Sequence, residues 1–325
     1  MKPTRRSAAR LLAHTGVLLA AALLLSTPVP AQHEERTVDI AGLAASHVRP
    51  AGREHAPLVV IIAGSGPTDR DGNSVLGLAT DAYKLFAHGL AAQGVASVRY
   101  DKRGVAGSAG IALPEPEFTV DTFAKDAAAV AVWAGKQPGA GPVTLIGHSE
   151  GGLLALLAAS HAKAKAIVLL ASPGRPFAAI LRDQLARPPG LPPPFSAEAS
   201  TILAALERGE LVPSVSAGLA ALFRPSVQPY LISVMRIDPA QRLRALTGPV
   251  LVVGGGKDVQ IGRADFDALI AARPGLEAFW APAMGHTLKA VGDDPASQER
   301  TYTDPTLPLL DGLAARIAVF LHAAR

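Results

Sequence analysis

The chain contains no cysteine. Catalytic thiols, disulfides, zinc sites built on thiolates and lipid attachment to cysteine are all excluded. Charge is sparse too: Asp, Glu, Lys and Arg make up 18% of the residues against 49% apolar ones, which excludes a disordered chain and supplies a large core. A long unbroken apolar run is missing near the N terminus. Residues 16–25 are apolar, but His14 and Thr15 stop the run well short of the ~20 residues that a bilayer span requires. With 325 residues the chain is long enough for two domains, or for one α/β domain with an insertion.

The basic character is concentrated at one end. Lys2, Arg5, Arg6 and Arg10 precede the apolar stretch, no acidic residue occurs before position 34, and Val29-Pro30-Ala31 follows. A basic region, a short apolar region and a small-residue site form the pattern of a secretory signal peptide, expected to be cleaved after Ala31. Arg5-Arg6 is followed by Ser-Ala-Ala, a poor match to a twin-arginine signal, so the general secretory route is expected. The mature protein is expected in the periplasm or outside the cell, with no stable membrane anchor. Residues 1–31 hold four of the 31 basic residues and none of the 27 acidic ones, so 27 of each remain and the formal net charge becomes zero. The pI of 9.5 thus belongs largely to the leader, and no nucleic-acid partner is expected.

Beyond residue 31 one phrase repeats: an apolar run, a glycine-rich turn, a helical stretch. Residues 57–63 are continuously apolar and end in Gly64-Ser65-Gly66. Residues 95–100, 142–146, 166–171, 249–253 and 276–281 read as further strands, and 36–48 as a weak strand pair. Helical spacing covers 81–93, 119–136, 151–162 and 307–324. Continuous apolar strands alternating with helices predict a mostly parallel sheet covered on both faces. The phrase breaks between Gly174 and Gly248, where prolines cluster and no strand run appears. Residues 175–246 are therefore expected to form a helical cap inserted between the core segments 32–174 and 247–325, because structureless loops of that length are rare in compact domains. Helices are expected over 197–208 and 215–223.

Gly147-His148-Ser149-Glu150-Gly151 has the form G-x-S-x-G and lies between a strand and a helix, the context in which that motif carries chemistry. The turn is so sharp that side chains two positions from its centre would collide, hence glycine at both. The Ser149 hydroxyl then projects above a helix N-terminus, and the backbone N–H of Glu150 is free to bind a developing oxyanion. An unactivated serine is a weak nucleophile and needs a base and an orienting acid, in the chain order Ser, acid, His. Of the downstream histidines, His161 lies on the helix behind Ser149 and His322 in the terminal helix. His286 follows the last strand on a glycine-hinged loop and is the candidate base. His148 adjoins the serine but points away, as a supporting residue. The acid should follow a strand: Asp258, after Gly254-Gly255-Gly256-Lys257, leads. Asp265 and Asp267 fit a helix surface, and Asp238 lies at the edge of the cap. An aspartate-nucleophile dehalogenase or epoxide hydrolase is disfavoured because the turn carries Ser. A non-catalytic binding protein on such a scaffold would be expected to lack one of Ser149, Asp258 and His286.

At these residues the chain resembles the α/β-hydrolase superfamily, and within it a bacterial serine-esterase group. The shared phrases are Gly64-Ser-Gly-Pro-Thr-Asp-Arg-Asp-Gly72, Tyr100-Asp-Lys-Arg-Gly104, Gly147-His-Ser-Glu-Gly-Gly152 and Gly256-Lys-Asp-Val-Gln260, with Asp238-Pro239 and Gly285-His286. The resemblance covers about residues 36–325, least specifically in the cap. It implies an α/β-hydrolase fold and a second oxyanion donor from the loop after the third strand. Pro67 has no N–H, so Gly66 is the first candidate and Ser65 the alternative. It implies that Asp69, Arg70 and Asp71 brace this loop, and that Asp101 and Arg103 turn the chain after the next strand. The expected function is hydrolysis of a small-molecule carboxylic ester of short to medium acyl chain, with no metal or organic cofactor. The alternative is a serine peptidase or thioesterase, a peptidase requiring an amine anchor for which Glu198, Glu207 and Glu210 show no paired motif.

Overall fold

A computed structural model describes residues 33–187 and 190–324. The expected leader, residues 1–31, lies outside the described residues. The chain begins with β1 (His33–Ile40), β2 (Leu43–Pro50), β3 (Ala56–Ile62), α1 (Ala82–Ala92), β4 (Ala96–Tyr100) and α2 (Val120–Ala134). Next come β5 (Ala140–His148), α3 (Glu150–Ala162) and β6 (Ala166–Leu170). Five helices then run without a strand: α4 (Phe177–Ala186), α5 (Pro193–Glu207), α6 (Ala220–Phe223), α7 (Gln228–Met235) and α8 (Pro239–Arg244). The chain closes with β7 (Val250–Gly255), α9 (Arg263–Ala272), β8 (Glu277–Ala281), α10 (Pro295–Thr303) and α11 (Leu313–Ala323).

The eight strands form one sheet in the order β1-β2-β4-β3-β5-β6-β7-β8. β1, β2 and β4 pair antiparallel, and the remaining pairs are parallel. The apolar runs do not alternate because both faces are covered. Along β3, Leu58, Val60 and Ile62 enter the core under α2 and α3, while Val59 and Ile61 enter the core under α1 and α11. Parallel pairing aligns Ile62 with Gly147 and His148 with Leu170. The loops that follow β3, β5 and β6 therefore emerge along one edge, where open α/β sheets gather their ligands.

Helices α4 to α7 share an apolar cluster of their own, including Leu203, Leu206, Phe223 and Leu231, whereas Leu243 of α8 joins the core under α2 and α3. Two helices are shorter than their apolar spacing predicts. Within 215–223 only Ala220–Phe223 is helical, because Gly218 interrupts the segment and Ser216 N–H is taken by the Glu198 carboxylate at 2.7 Å. Within 307–324 the helix starts at Leu313. Pro308 and the left-handed Gly312 (φ 73°) prevent an earlier start, and Leu310 N–H instead bonds to the carbonyl of Leu288 at 2.8 Å. The helices α8 and α10 begin at Pro239 and Pro295, where the fixed φ of proline suits a first helical turn.

Candidate active site

Ser149 sits between β5 and α3 with φ 53° and ψ −129°, a conformation that costs an L-residue of order 1–3 kcal/mol. Its surroundings enforce it. The Ser149 amide donates to the carbonyl of Leu170 at 2.9 Å, and its carbonyl accepts from Gly152 N–H at 2.9 Å. A Cβ at Gly147 would lie 2.2 Å from the carbonyl oxygen of Gly151, and one at Gly151 would lie 2.2 Å from that of Ile62. Both glycines are thus required by close approach, for the reason the motif suggests.

Asp258 and His286 meet at the same edge. Nδ1 of His286 lies 2.8 Å from Oδ2 of Asp258. The other carboxylate oxygen accepts from the amides of Gln260 at 2.7 Å and Ile261 at 2.9 Å. Burial pushes the Asp258 pKa up, but His286 and the two amides outweigh it and hold the carboxyl below its ordinary range. Asp258 is therefore ionised and fixed. Ser149 and His286 line one cavity of about 100 Å³, together with Ser65, Thr80, Gln260 and Tyr302.

The other acidic candidates are used elsewhere. Asp238 caps α8, accepting from Gln241 N–H at 3.1 Å. Asp267 pairs with Arg263 on the exposed side of α9. Asp265 departs from its expected place on a helix surface: its side chain is fully buried. It accepts from the amides of Gly174 and Arg175, both at 3.1 Å, and from Arg175 Nη2 at 2.8 Å. Helical spacing could not reveal this, because the chain entering α4 covers that side of α9. His161 stays on α3, and His322 on α11 contacts the carbonyl of Gln93 at 3.0 Å.

A polar relay joins the loop after β3 to the loop carrying His286. The amide of Gly64 donates to the Tyr83 hydroxyl at 3.1 Å, which lies 2.7 Å from Nδ1 of His148. Nε2 of His148 donates to the carbonyl of His286 at 2.8 Å. That carbonyl can only accept, so the proton of neutral His148 sits on Nε2 and Nδ1 accepts a hydrogen bond from the Tyr83 hydroxyl. Burial drives the His148 pKa down to about 3, which keeps this tautomer neutral.

Lys102 holds the same loop from the other side. Its ammonium donates at 2.5 Å to the carbonyls of Gly64 and Gly66. It is almost wholly buried, and burial lowers its pKa to about 8, with Glu150 pulling it upward. The Glu150 carboxyl is raised by burial and accepts from the Tyr230 hydroxyl at 2.7 Å. The charged stretch behind the loop is braced as expected. Asp69 accepts from the amides of Asp71 and Asn73, Arg70 pairs with Asp101 at 2.9 Å, and Asp71 accepts from Arg99 at 2.9 Å. Asp101 also accepts from Gly107 N–H, and Arg103 forms a forked pair with Asp126. Gly64 N–H is occupied by Tyr83, whereas the amides of Ser65 and Gly66 are not engaged in this way.

Residues 59–297, more than half of the chain, match the alpha/beta hydrolase family. The chain belongs to that family. It is 30% identical over 253 residues to esterase EstD of Thermotoga maritima, spanning 76% of this chain but only 58% of that protein. In fold it resembles Est1E from Butyrivibrio proteoclasticus, with a TM-score of 0.55, 18% identity, and 89% of this chain and 98% of that one covered. It also resembles the α/β hydrolase GrgF from Penicillium sp. sh18, with a TM-score of 0.57, 17% identity, and 90% and 98% covered.

In this member of the family a second, larger cavity of about 680 Å³ opens beside the first. Gly66, Lys102 and Glu150 line it together with three aromatic residues, Phe118, Phe123 and Tyr230. The Phe118 and Phe123 rings are stacked with an interplanar angle of 1°, and Tyr230 meets Phe123 edge-on at 5.7 Å. Sequence reasoning passed over Tyr83, Lys102 and Tyr230. Lys102 alone carried a signal, as a cation at the end of a buried strand. Tyr83 and Tyr230 sit among apolar residues at helical spacing and look like core. Among the described residues no helix is long and apolar enough to cross a membrane.

Proposed function

We propose that the chain is an exported serine hydrolase that cleaves carboxylic esters of short to medium acyl chain through an acyl-enzyme. The observation that carries this reading is the 2.8 Å bond between His286 and the buried, ionised Asp258, in the cavity shared with the strained Ser149. Ser149 Oγ attacks the ester carbonyl as His286 Nε2 takes its proton. The tetrahedral oxyanion is held by the Glu150 amide and that of Gly66, with Ser65 the alternative donor. Collapse expels the alcohol, to which His286 returns the proton. Water, deprotonated by His286, then attacks the acyl-enzyme, and the acid leaves with Ser149 restored. Asp258 fixes the imidazole tautomer and stabilises the imidazolium. Every step uses this chain's own groups and a water, so no cofactor is invoked.

The named esterase relative supports an ester over an amide, and so do the cap glutamates. Glu198 is bound to Ser216, Glu207 to Arg182 and Glu210 to Arg208, so none offers a free carboxylate to a substrate amine. Residues 175–246 serve as the cap over the site. The exported location rests on the sequence of residues 1–31, and N-terminal sequencing of exported protein should return Gln32; recovery of Met1 would refute it. The activity is tested with nitrophenyl esters of graded chain length beside a peptide and a thioester. Esters should turn over fastest, and a clear preference for the peptide or the thioester would displace this reading.

A further inference from the structure

His33 and Glu35 stand two residues apart on β1, so their side chains leave the same face of that edge strand. The helix α1 packs against β1 and brings His88 to the same place. Nε2 of His88 lies 2.7 Å from Oε2 of Glu35. The His33 and His88 rings stack with centroids 4.1 Å apart. One ligand atom from each of the three residues lies within 4.8 Å of the other two. Metal–ligand bonds of about 2.0–2.1 Å in a tetrahedron separate ligand atoms by about 3.3 Å, so side-chain rotation alone would close the triangle.

We propose that His33, Glu35 and His88 bind a divalent transition-metal ion of the zinc and copper class. Two imidazoles and one carboxylate favour such an ion over calcium or magnesium, which prefer oxygen ligands throughout. The carboxylate is oriented from behind. Its Oε1 accepts from Arg99 Nη2 at 2.5 Å, which leaves Oε2 facing the imidazoles. Arg99 is nearly fully buried and also binds Asp71 at 2.9 Å, so two carboxylates flank its single positive charge. An outer partner of this kind fixes a ligand's direction. Glu35 and His88 side chains are 28% and 29% exposed, which leaves the ion a path from solvent. Binding replaces the His88–Glu35 hydrogen bond: the Nε2 proton moves to Nδ1 or is released, and the freed lone pair takes the metal. None of the three residues takes part in the proposed hydrolysis.

The test uses untagged full-length protein stripped with EDTA and titrated with Zn²⁺ against a chromophoric chelator. One equivalent should bind at micromolar affinity or tighter, weakening as pH falls through the histidine range, and excess Mg²⁺ should not compete. Loss of an outer partner alone costs about 10–100-fold, so His33→Ala and His88→Ala should each weaken binding at least about tenfold. Cu²⁺ added instead should show nitrogen hyperfine coupling in its EPR spectrum, lost in the double variant. His33→Gln and His88→Gln replace the alanine variants if circular dichroism shows those to be unfolded. The proposal is overturned if the wild type binds no stoichiometric zinc, or if the folded double variant binds it equally well.

Discussion

The backbone carbonyl of His286 accepts a 2.8 Å hydrogen bond from Nε2 of His148, the residue preceding Ser149. The imidazole beside Ser149 is thus the strut that positions the loop of the imidazole that would serve it. The strut is built for the neutral ring: a second proton, on Nδ1, would charge a buried imidazole and deprive the Tyr83 O–H of its acceptor.

This gives a pH dependence of stability. The folded pKa of His148 lies at about 3 and that of the buried His47 at about 4, both through burial, against about 6.5 in the unfolded chain. Between those limits the unfolded state binds more protons, so stability falls as pH drops below 6.5 and continues to fall to about 4 for His47 and 3 for His148. Melting temperatures of wild type and a His47→Gln/His148→Gln variant should diverge less at pH 5 than at pH 7. The hypothesis fails if the variant keeps the full acid slope.

Ser149→Ala should lower kcat by roughly 10⁶ with little change in melting temperature, since the variant keeps the turn and loses only the nucleophile. Alanine tolerates the left-handed backbone about as well as serine does. Ester turnover near the wild-type rate would sink the mechanism.

Asp258→Asn and Asp265→Asn should fail in different ways. The first leaves His286 in the wrong tautomer and should lower kcat by roughly 10⁴. The second weakens the buried tie between α9 and the chain entering α4, where Asp265 meets Arg175 and two amides. It should unfold at lower temperature, with a much smaller effect on kcat. Thermal melts and initial rates on the same preparations separate the two. A crippled kcat in well-folded Asp265→Asn would reassign the acid.

The divergence marks where sequence reasoning stops. Ser149, Asp258 and His286 could be chosen because each follows a strand in a glycine-rich turn, and topology sends such turns to one edge. The pattern of the central strands survived because both faces of the sheet are covered there, so β3, β5, β6 and β7 carry long apolar runs. Asp265 could not be read, since its burial depends on a segment 90 residues away in sequence. Lys102 and Tyr83 were missed for the same reason: each acts on backbone groups of a loop that only the tertiary fold brings near.

Lys102 should behave as a positioning residue. Lys102→Met removes both bonds to the loop carbonyls, and the resulting misplacement should lower kcat by about 10²-fold while changing KM less. Its linkage has the same sense as that of the histidines, displaced to higher pH. The folded pKa of about 8 lies below the ordinary 10.5. Between these values the unfolded chain holds the extra proton, so wild-type stability should rise relative to Lys102→Met as pH climbs from 8 towards 10. A constant stability difference across that range would show that the ammonium is not buried as described.

Acyl-chain preference follows from the larger cavity. Its space of about 680 Å³ lies within the range of small-molecule sites. Gly66 and Glu150, whose amides are proposed to hold the oxyanion, both line it, so an acyl chain leaving the reacting carbonyl is expected to enter it. The smaller cavity, lined by His286, is where the leaving alcohol would collect its proton. Each methylene buried against the Phe118, Phe123 and Tyr230 wall contributes about 0.8 kcal/mol, or roughly fourfold in kcat/KM. That gain stops when the chain reaches the rim, where Arg224 and Glu115 form an ion pair that an alkyl chain cannot replace. With a series of nitrophenyl esters, kcat/KM should climb from acetate through medium chains and fall for palmitate. Phe123→Ala should flatten the rise for medium chains more than it affects acetate. A preference for long-chain triglyceride, with activation at an oil–water interface, would contradict this and require the cap to swing open as a mobile lid.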